Sequence, residues 1–210
     1  MNRFFDMDSP IMRFLNRVAD LVWLNILAVI CCIPVVTAGA SLTALHYVAL
    51  RMTRNEEGYI TKDFFKSFKE NFAQATVIWL VILVLAAGLG ADFYIMAFSS
   101  VEMGPVIRVL VFAAAFLLLF GGIYVFPFQA RFANTIRNTV KNAYITSVMN
   151  FPKTMLILIM YGVFLAAYSL FFLYLVPLIL FCGLSLPVFL ACTFYTSIFK
   201  KLEEQISQSV

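Results

Sequence analysis

The chain has 210 residues, of which 63% are hydrophobic and only 12% are charged, with a mean hydropathy of +0.94 and a formal net charge of +4. A soluble domain carries about 25% charged residues, so this composition excludes an ordinary soluble globular protein and predicts an integral membrane protein. The small positive charge does not indicate a nucleic-acid partner, and its distribution along the chain is more informative than its size.

The first apolar segment, 18–52, is too long for one upright membrane-spanning helix. At a helical rise of 1.5 Å per residue it would extend on the order of 50 Å, whereas the hydrocarbon core of a bilayer is about 30 Å thick. Pro34 interrupts the segment, because proline lacks an amide donor and clashes with the preceding turn. We therefore predict two short arms, near 18–34 and 37–52, that enter the membrane and return. One kinked helix that crosses once is the alternative.

The residues that follow Pro34 suit a turn inside the membrane. Thr37 and Ser41 carry hydroxyl groups that can satisfy backbone groups freed by the turn. Gly39 lies between two alanines, so two helices can approach each other closely there. We predict that Pro34, Thr37, Gly39 and Ser41 form a turn and a helix-packing surface, either within the protein or with a partner.

An amphipathic helix is predicted in the charged segment 53–72. Phe64, Phe68 and Phe72 recur every four residues and Phe65 lies beside them, while the lysines fall mostly on other faces. This pattern is typical of a helix that lies in the membrane interface. Docking of the same helix on a partner protein is the alternative, because both situations produce the same periodicity.

The complete prediction is an all-α polytopic protein that forms a single membrane domain over residues 1–210, with six membrane segments. The four later segments are expected near 73–98, 106–128, 154–175 and 178–199. The six segments pair into three hairpins at 18–52, 73–128 and 154–199. The polar segments outside these hairpins are predicted to be cytoplasmic: 1–17, 53–72, 129–153 and 200–210.

The basic residues support this topology. Of the 15 lysines and arginines, 14 lie in the predicted cytoplasmic segments or directly beside them, and Arg108 is the exception. Basic residues are enriched in cytoplasmic loops of membrane proteins. We therefore expect both termini to be cytoplasmic.

Polar residues inside the predicted spans are the candidates for functional contacts, because polar groups are costly in lipid. For Asn25, Thr43 and His46, hydrogen bonding between helices is the simpler interpretation, and contact with a substrate or a proton is the alternative. Asp92 is expected near the outer interface, where it reaches water or lipid headgroups, and coordination of an ion is the alternative. A single carboxylate within the predicted spans also argues against an ion pump, because ion pathways often contain several buried carboxylates.

The sequence contains no motif for catalysis, cofactor binding or metal binding. His46 is the only histidine, and no Walker-type lysine is present. The cysteines lack metal-ligand spacing and are predicted to be free apolar thiols. We expect a protein that is not an enzyme and that has no cofactor or metal. Membrane lipid is a predicted partner.

Two motifs resemble a known family. The sequence PVVTAGASLTALHY at 34–47 and the sequence FKSFKENF at 65–72, followed by Trp79, are similar to the YesL-like integral membrane proteins of Gram-positive bacteria. That family has no established function, and the similarity covers nearly the whole chain. Its members are often encoded beside carbohydrate uptake systems, notably binding-protein-dependent ABC importers.

The resemblance implies a multi-pass protein of the bacterial cytoplasmic membrane. Its implied role is a non-enzymatic accessory or scaffold subunit of a carbohydrate ABC importer, with permease subunits as partners. An independent small-solute transporter or channel is the alternative function, and a membrane enzyme is a third. The resemblance supplies no catalytic or binding residues, and the oligomeric state stays open.

Overall fold

The computed structural model describes residues 10–56, 58–98, 104–171, 176 and 181–208. All regular secondary structure in these ranges is helical, which confirms the predicted all-α class. The α-helices are α1 (Pro10–Cys32), α2 (Ala38–Thr53), α3 (Ile60–Phe98), α4 (Pro105–Arg131), α5 (Ile136–Met149), α6 (Phe151–Leu170) and α7 (Ser185–Gln208). The predicted N-terminal lead up to residue 9, and parts of the predicted segments at 154–175 and 178–199, lie outside the described residues.

The first two helices lie side by side in opposite directions. Pro34 has an extended conformation, with φ −73° and ψ 110°, and a short 3-10 turn over Val35–Thr37 leads into α2. Near the turn, the Ser41 hydroxyl donates a hydrogen bond to the Ala28 carbonyl oxygen at 2.9 Å. At the far end, Arg17 of α1 bonds to Asn55 just beyond α2 at 2.7 Å. The chain therefore reverses at Pro34 and does not continue as one kinked helix.

With the exception of α5, the remaining helices alternate in direction. Along α2 and α7 the contacts advance in the same direction, from His46 with Cys192 to Thr53 with Thr196. The same holds for α4 and α7, from Tyr124 with Tyr195 to Phe128 with Phe199. Helices α2, α4 and α7 are therefore parallel, and α1, α3 and α6 run the opposite way. Helix α5 turns back along α4. This alternation is compatible with the predicted hairpins.

The core lies where α1, α2, α4 and α7 meet, with Phe64 and Ile78 of α3 packed into it. Its largest fully buried side chains include Tyr124, Tyr195, Phe64 and Phe128. Tyr124 and Tyr195 contact edge to face, with ring centroids 5.1 Å apart. Burial of large aromatic side chains is a major source of packing energy, and edge-to-face pairs add to it. The aromatic residues of the sequence therefore contribute to the interior as well as to the outer surface.

Four helices in the described residues are long and apolar enough to cross a membrane: α1, α3, α4 and α6. Helix α2 has 16 residues, fewer than the roughly 20 that cross a bilayer core. Helix α7 has 24 residues, but charged side chains from Lys200 to Glu204 occupy part of it. Multi-pass membrane character is therefore consistent with the fold, and the count of six spans stays a prediction.

Helix α3 differs from the prediction of an interfacial helix followed by a separate span. It is one continuous helix of 39 residues, which corresponds to about 58 Å, roughly twice the thickness of a bilayer core. No proline interrupts it, and its first glycine is Gly88. The good helix formers before that residue give the chain no reason to break at Phe72.

The far halves of α3 and α4 form a projecting pair, which we call the outer arm (residues 80–98 and 105–119). None of residues 80–98 is buried, and Val111 is the only buried residue in 105–119. The arm begins beyond the α1–α2 turn, where the Trp79 indole N–H donates to the Val35 carbonyl oxygen at 2.7 Å. Most side chains of the arm are apolar and exposed.

Candidate functional site

The predicted turn residues hold the α1–α2 junction. The Thr37 hydroxyl lies 2.6 Å from the Cys31 carbonyl oxygen and 2.8 Å from the Pro34 carbonyl oxygen. The Cys31 carbonyl group lies in the last turn of α1, where intrahelical amides run out, whereas the Pro34 carbonyl oxygen lies beyond α1 and also accepts the Thr37 backbone N–H at 2.9 Å. The hydroxyl therefore replaces water as the hydrogen-bond partner of the broken helix.

Gly39 is the point of closest approach between α2 and α3. A Cβ atom at Gly39 would lie 2.5 Å from the Ala75 carbonyl oxygen and 2.5 Å from Trp79 Cβ. Ser41 faces the other neighbour, α1, through its bond to Ala28. The small residues from Ala38 to Ser41 are all buried, so this packing surface is occupied within the chain itself.

Three of the polar residues predicted inside the spans bond to the protein's own backbone. The Asn25 side-chain oxygen accepts hydrogen bonds from the amides of Leu184 and Ser185, at 2.8 and 3.0 Å. It therefore caps the start of α7 from the neighbouring helix α1. The Thr43 hydroxyl donates to the carbonyl oxygen four residues earlier at 2.9 Å, and His46 Nδ1 donates likewise at 2.7 Å.

The predicted polar residues do not share one cavity. His46 lines an apolar cavity of about 430 Å³ between α2, α4, α6 and α7, and neither Asn25 nor Asp92 lines it. Asp92 lies on the outer arm, next to Phe93, whose ring contacts Phe112 at 5.2 Å between centroids. The arrangement therefore gives no acid–base pair and no continuous polar path among these residues.

The phenylalanines of the predicted amphipathic helix divide between the core and the surface. Phe64 is fully buried, and Phe68 is partly buried against the core with its ring 6.2 Å from that of Phe64. Phe65 and Phe72 are exposed by 39% and 40%. Part of this face thus packs on the protein itself, and the rest is available to lipid or to a partner.

Charged residues collect at the end of the bundle where α2, α4 and α7 finish. An ion pair between Arg51 and Asp63, at 2.6 Å, joins α2 to α3. A second ion pair between Arg131 and Glu203, at 2.7 Å, joins α4 to α7. Burial and the nearby Arg131 guanidinium lower the pKa of Arg54, although the carboxylates around it act in the opposite direction and raise the pKa. Basic side chains at helix C-termini also complement the helix dipole. This end is the one predicted to be cytoplasmic.

A polar cavity of about 620 Å³ lies beside this charged end, between α3, α4 and α5. We call it the amide cavity, because carboxamide side chains form much of its lining. Gln129 lies at its base and is 6% exposed. The Gln129 amide group donates to Asn71 Oδ1 at 3.0 Å and to Gln74 Oε1 at 2.8 Å, and its own oxygen accepts from the Thr139 hydroxyl at 3.2 Å.

Sequence reasoning did not single out the amide cavity. Its residues come from two segments that are far apart in the chain, 67–74 and 129–138, together with Tyr47, and each segment alone resembles an ordinary polar stretch. One signal was present: Asn71 and Gln74 are three residues apart on one helix face, and Gln129 follows an apolar span directly. Their meeting depends on the antiparallel packing of α3 on α4.

Within the described residues, no group of three or more histidine, cysteine, aspartate or glutamate side chains could hold a metal ion. The four cysteines, Cys31, Cys32, Cys182 and Cys192, are all free thiols.

Comparison with known proteins gives one similarity. Residues 21–93, about a third of the chain, match a family described as "Protein of unknown function, DUF624". The matched range includes the α1–α2 turn, the Gly39 contact and the phenylalanines of α3. No curated protein and no solved structure matches the chain. The chain is thus similar over this range to a family whose description states no activity.

Proposed function

We propose that this protein is a non-enzymatic accessory or scaffold subunit associated with a carbohydrate ABC importer in the bacterial cytoplasmic membrane. In this proposal it is a YesL-like protein with six membrane segments, paired into three hairpins, and with both termini in the cytoplasm. The motifs at 34–47 and 65–72 support the family assignment, and the partners are the permease subunits of the importer.

The observation that carries the proposal is the outer arm. Its two helices contact each other, but almost none of their apolar surface is buried by the rest of the fold. Gly88 and Gly90 lie on the arm, and a Cβ atom at either position would meet nothing within 4 Å. Small residues let the helices of two membrane proteins approach closely. The arm therefore offers a site on which a permease helix can pack.

The alternative is an independent small-solute transporter or channel, which requires a polar path through the bundle. Asn25, Thr43 and His46 direct their hydrogen bonds to backbone groups of this chain. Asp92 lies on the outer arm, away from them. This use of the polar residues for packing favours the accessory role over transport.

The accessory role is tested by mild purification of the tagged chain from its native membrane, with mass spectrometry of the proteins that accompany it. We expect stoichiometric recovery of permease subunits with the wild-type chain. The double variant Gly88→Leu/Gly90→Leu should lose most of the permease, because a bulky side chain then blocks close approach on each of the two helix faces that these glycines occupy.

The matched control is Gly162→Leu in α6, where an added Cβ also meets nothing within 4 Å. This variant should retain the permease. Recovery of the wild-type chain alone, under conditions that keep the importer intact, would count against the accessory role. Sugar uptake by liposomes that contain only this protein, and its loss in His46→Leu or Asp92→Asn, would favour the transporter instead.

A further inference from the structure

The amide cavity differs from the other buried polar sites in one respect. At Asn25, Thr37, Ser41 and Thr43 the polar atoms bond to the backbone of the chain. In the cavity, by contrast, several lining side chains keep unused hydrogen-bonding capacity. Within the described part of the chain no side-chain hydrogen bond is made by the half-buried Tyr47 and Asn134 or by the exposed Glu70, Thr135 and Asn138.

Gln129 fixes the geometry at the base of the cavity. Both ends of its carboxamide are bonded, so the group cannot rotate without loss of hydrogen bonds. Because Gln74 accepts from Gln129 through its oxygen, the amide N–H groups of Gln74 are left without a partner among the described residues. Gln129 thus fixes the orientation of the Gln74 carboxamide.

The charge of the lining is nearly balanced. Arg131 lines the cavity, but its guanidinium bonds through Nε and Nη2 to Glu203, outside the cavity. Glu70 is exposed and lies at the rim. The inner surface is therefore made of neutral donors and acceptors, beside the aromatic side chains of Tyr47 and Phe132. Such a surface suits a neutral ligand that both donates and accepts hydrogen bonds.

We propose that the amide cavity binds a neutral polyhydroxylated small molecule, such as a polyol or a monosaccharide. Its volume of about 620 Å³ lies in the range of small-molecule pockets, roughly 300 to 1,000 Å³. Hydroxyl groups pair with the carboxamides, and the less polar face of the ligand packs on the aromatic side chains. The cavity lies at the predicted cytoplasmic end, so the ligand arrives from the cytoplasm. The inference does not depend on an importer partner.

The test uses the full chain in lipid nanodiscs, because glycoside detergents carry a sugar headgroup that would compete. Binding of glycerol, inositol and glucose is measured by calorimetry, beside glucosamine and glucose 6-phosphate as charged analogues. We expect saturable binding of at least one neutral compound. Gln74→Ala and Asn138→Ala should each weaken it by roughly three- to tenfold, the effect of one lost hydrogen bond.

Asn16→Ala is the matched control, because Asn16 is an exposed amide on α1, away from the cavity. It should leave the affinity unchanged, and equal thermal unfolding midpoints for all variants would verify folding. Glu70→Gln should change the affinity for the neutral ligand by less than Asn138→Ala does.

Three results would overturn the proposal. They are the absence of binding by every neutral compound, unchanged binding in the double variant Gln74→Ala/Asn138→Ala, and a preference for glucosamine that Glu70→Gln removes. Because the assay uses only the purified chain, its failure would leave the importer proposal standing, and failure of the permease recovery would not affect this one.

Discussion

At the scale of single residues, the polar side chains in the apolar helices bond mainly to backbone groups, and two of them act at helix ends. Thr37 satisfies the end of α1, and Asn25 satisfies the start of α7. The hydrocarbon core offers no water to an unpaired backbone group, so each helix end inside the protein needs such a partner. The sequence predicted hydrogen bonding by these residues but not the partner, since the two amides that donate to Asn25 lie 159 and 160 residues away in the chain.

Asn25→Ala should destabilise the protein by about 1–3 kcal/mol, because two amides at the start of α7 lose their acceptor. The measurement is thermal unfolding of the purified chain in nanodiscs. Asn16→Ala, on the exposed side of the same helix, should leave the midpoint nearly unchanged. Equal midpoints for the two variants would contradict the capping role.

Gly39→Ala should also destabilise the protein, by roughly 1–3 kcal/mol, because the added methyl group overlaps the backbone of α3 at Ala75. Gly162→Ala serves as the control, since its methyl group enters open space and alanine is the better helix former. Unfolding midpoints of the two variants give the comparison. A Gly39→Ala protein as stable as Gly162→Ala would refute the close contact of α2 with α3.

At the scale of elements, helix α3 is where sequence pattern and structure diverge. Phenylalanines every four residues predict an apolar face, but the same periodicity serves a membrane surface, a partner protein or the protein's own core. Phe64 packs in the core because α2 lies against the first half of α3, with Gly39 opposite Ala75 and Arg51 opposite Asp63. That neighbour is fixed by tertiary packing, so periodicity alone did not reveal it.

The contact between α4 and α5 gives a prediction at this scale. A Cβ atom at Gly121 would overlap the ring of Tyr144, so Gly121→Ala should separate the two helices and lower stability. Replacing the ring in Gly121→Ala/Tyr144→Leu should restore part of the loss, with a coupling energy of about 0.5–3 kcal/mol in a double-mutant cycle.

Gly122→Ala is the neighbouring control, because an added Cβ there meets nothing within 4 Å. It should be at least as stable as the wild type. Additive effects of the changes at Gly121 and Tyr144 would mean that these two residues do not meet in the native protein.

At the scale of the whole molecule, the alternating helix directions bring the ends of α2, α4 and α7 together with the basic residues Arg54, Arg131 and Lys200. Charge distribution along the sequence predicted such a grouping on the cytoplasmic side. It follows that the loop between α3 and α4, which contains Gly104, should face the outside.

This topology is checked by thiol labelling of intact cells in a background without the native cysteines. A membrane-impermeant maleimide should label Gly104→Cys, and it should not label Lys62→Cys or Lys201→Cys until the cells are permeabilised. Labelling of Lys201→Cys in intact cells would place the C-terminus outside and contradict the three-hairpin arrangement.

The sequence by itself determined the membrane-compatible composition and the all-helical class, and it favoured a reversal at Pro34 over one kinked helix. These properties depend on composition, on helix length against bilayer thickness and on the missing amide of proline, all of which are local. Only the tertiary structure decided that α3 is continuous along α2, that Asn25 caps α7, and that Asn71, Gln74 and Gln129 surround one cavity. These features join residues that are distant in the chain. Close packing of the helices selects which residues meet, and the periodicity of the sequence does not encode that packing.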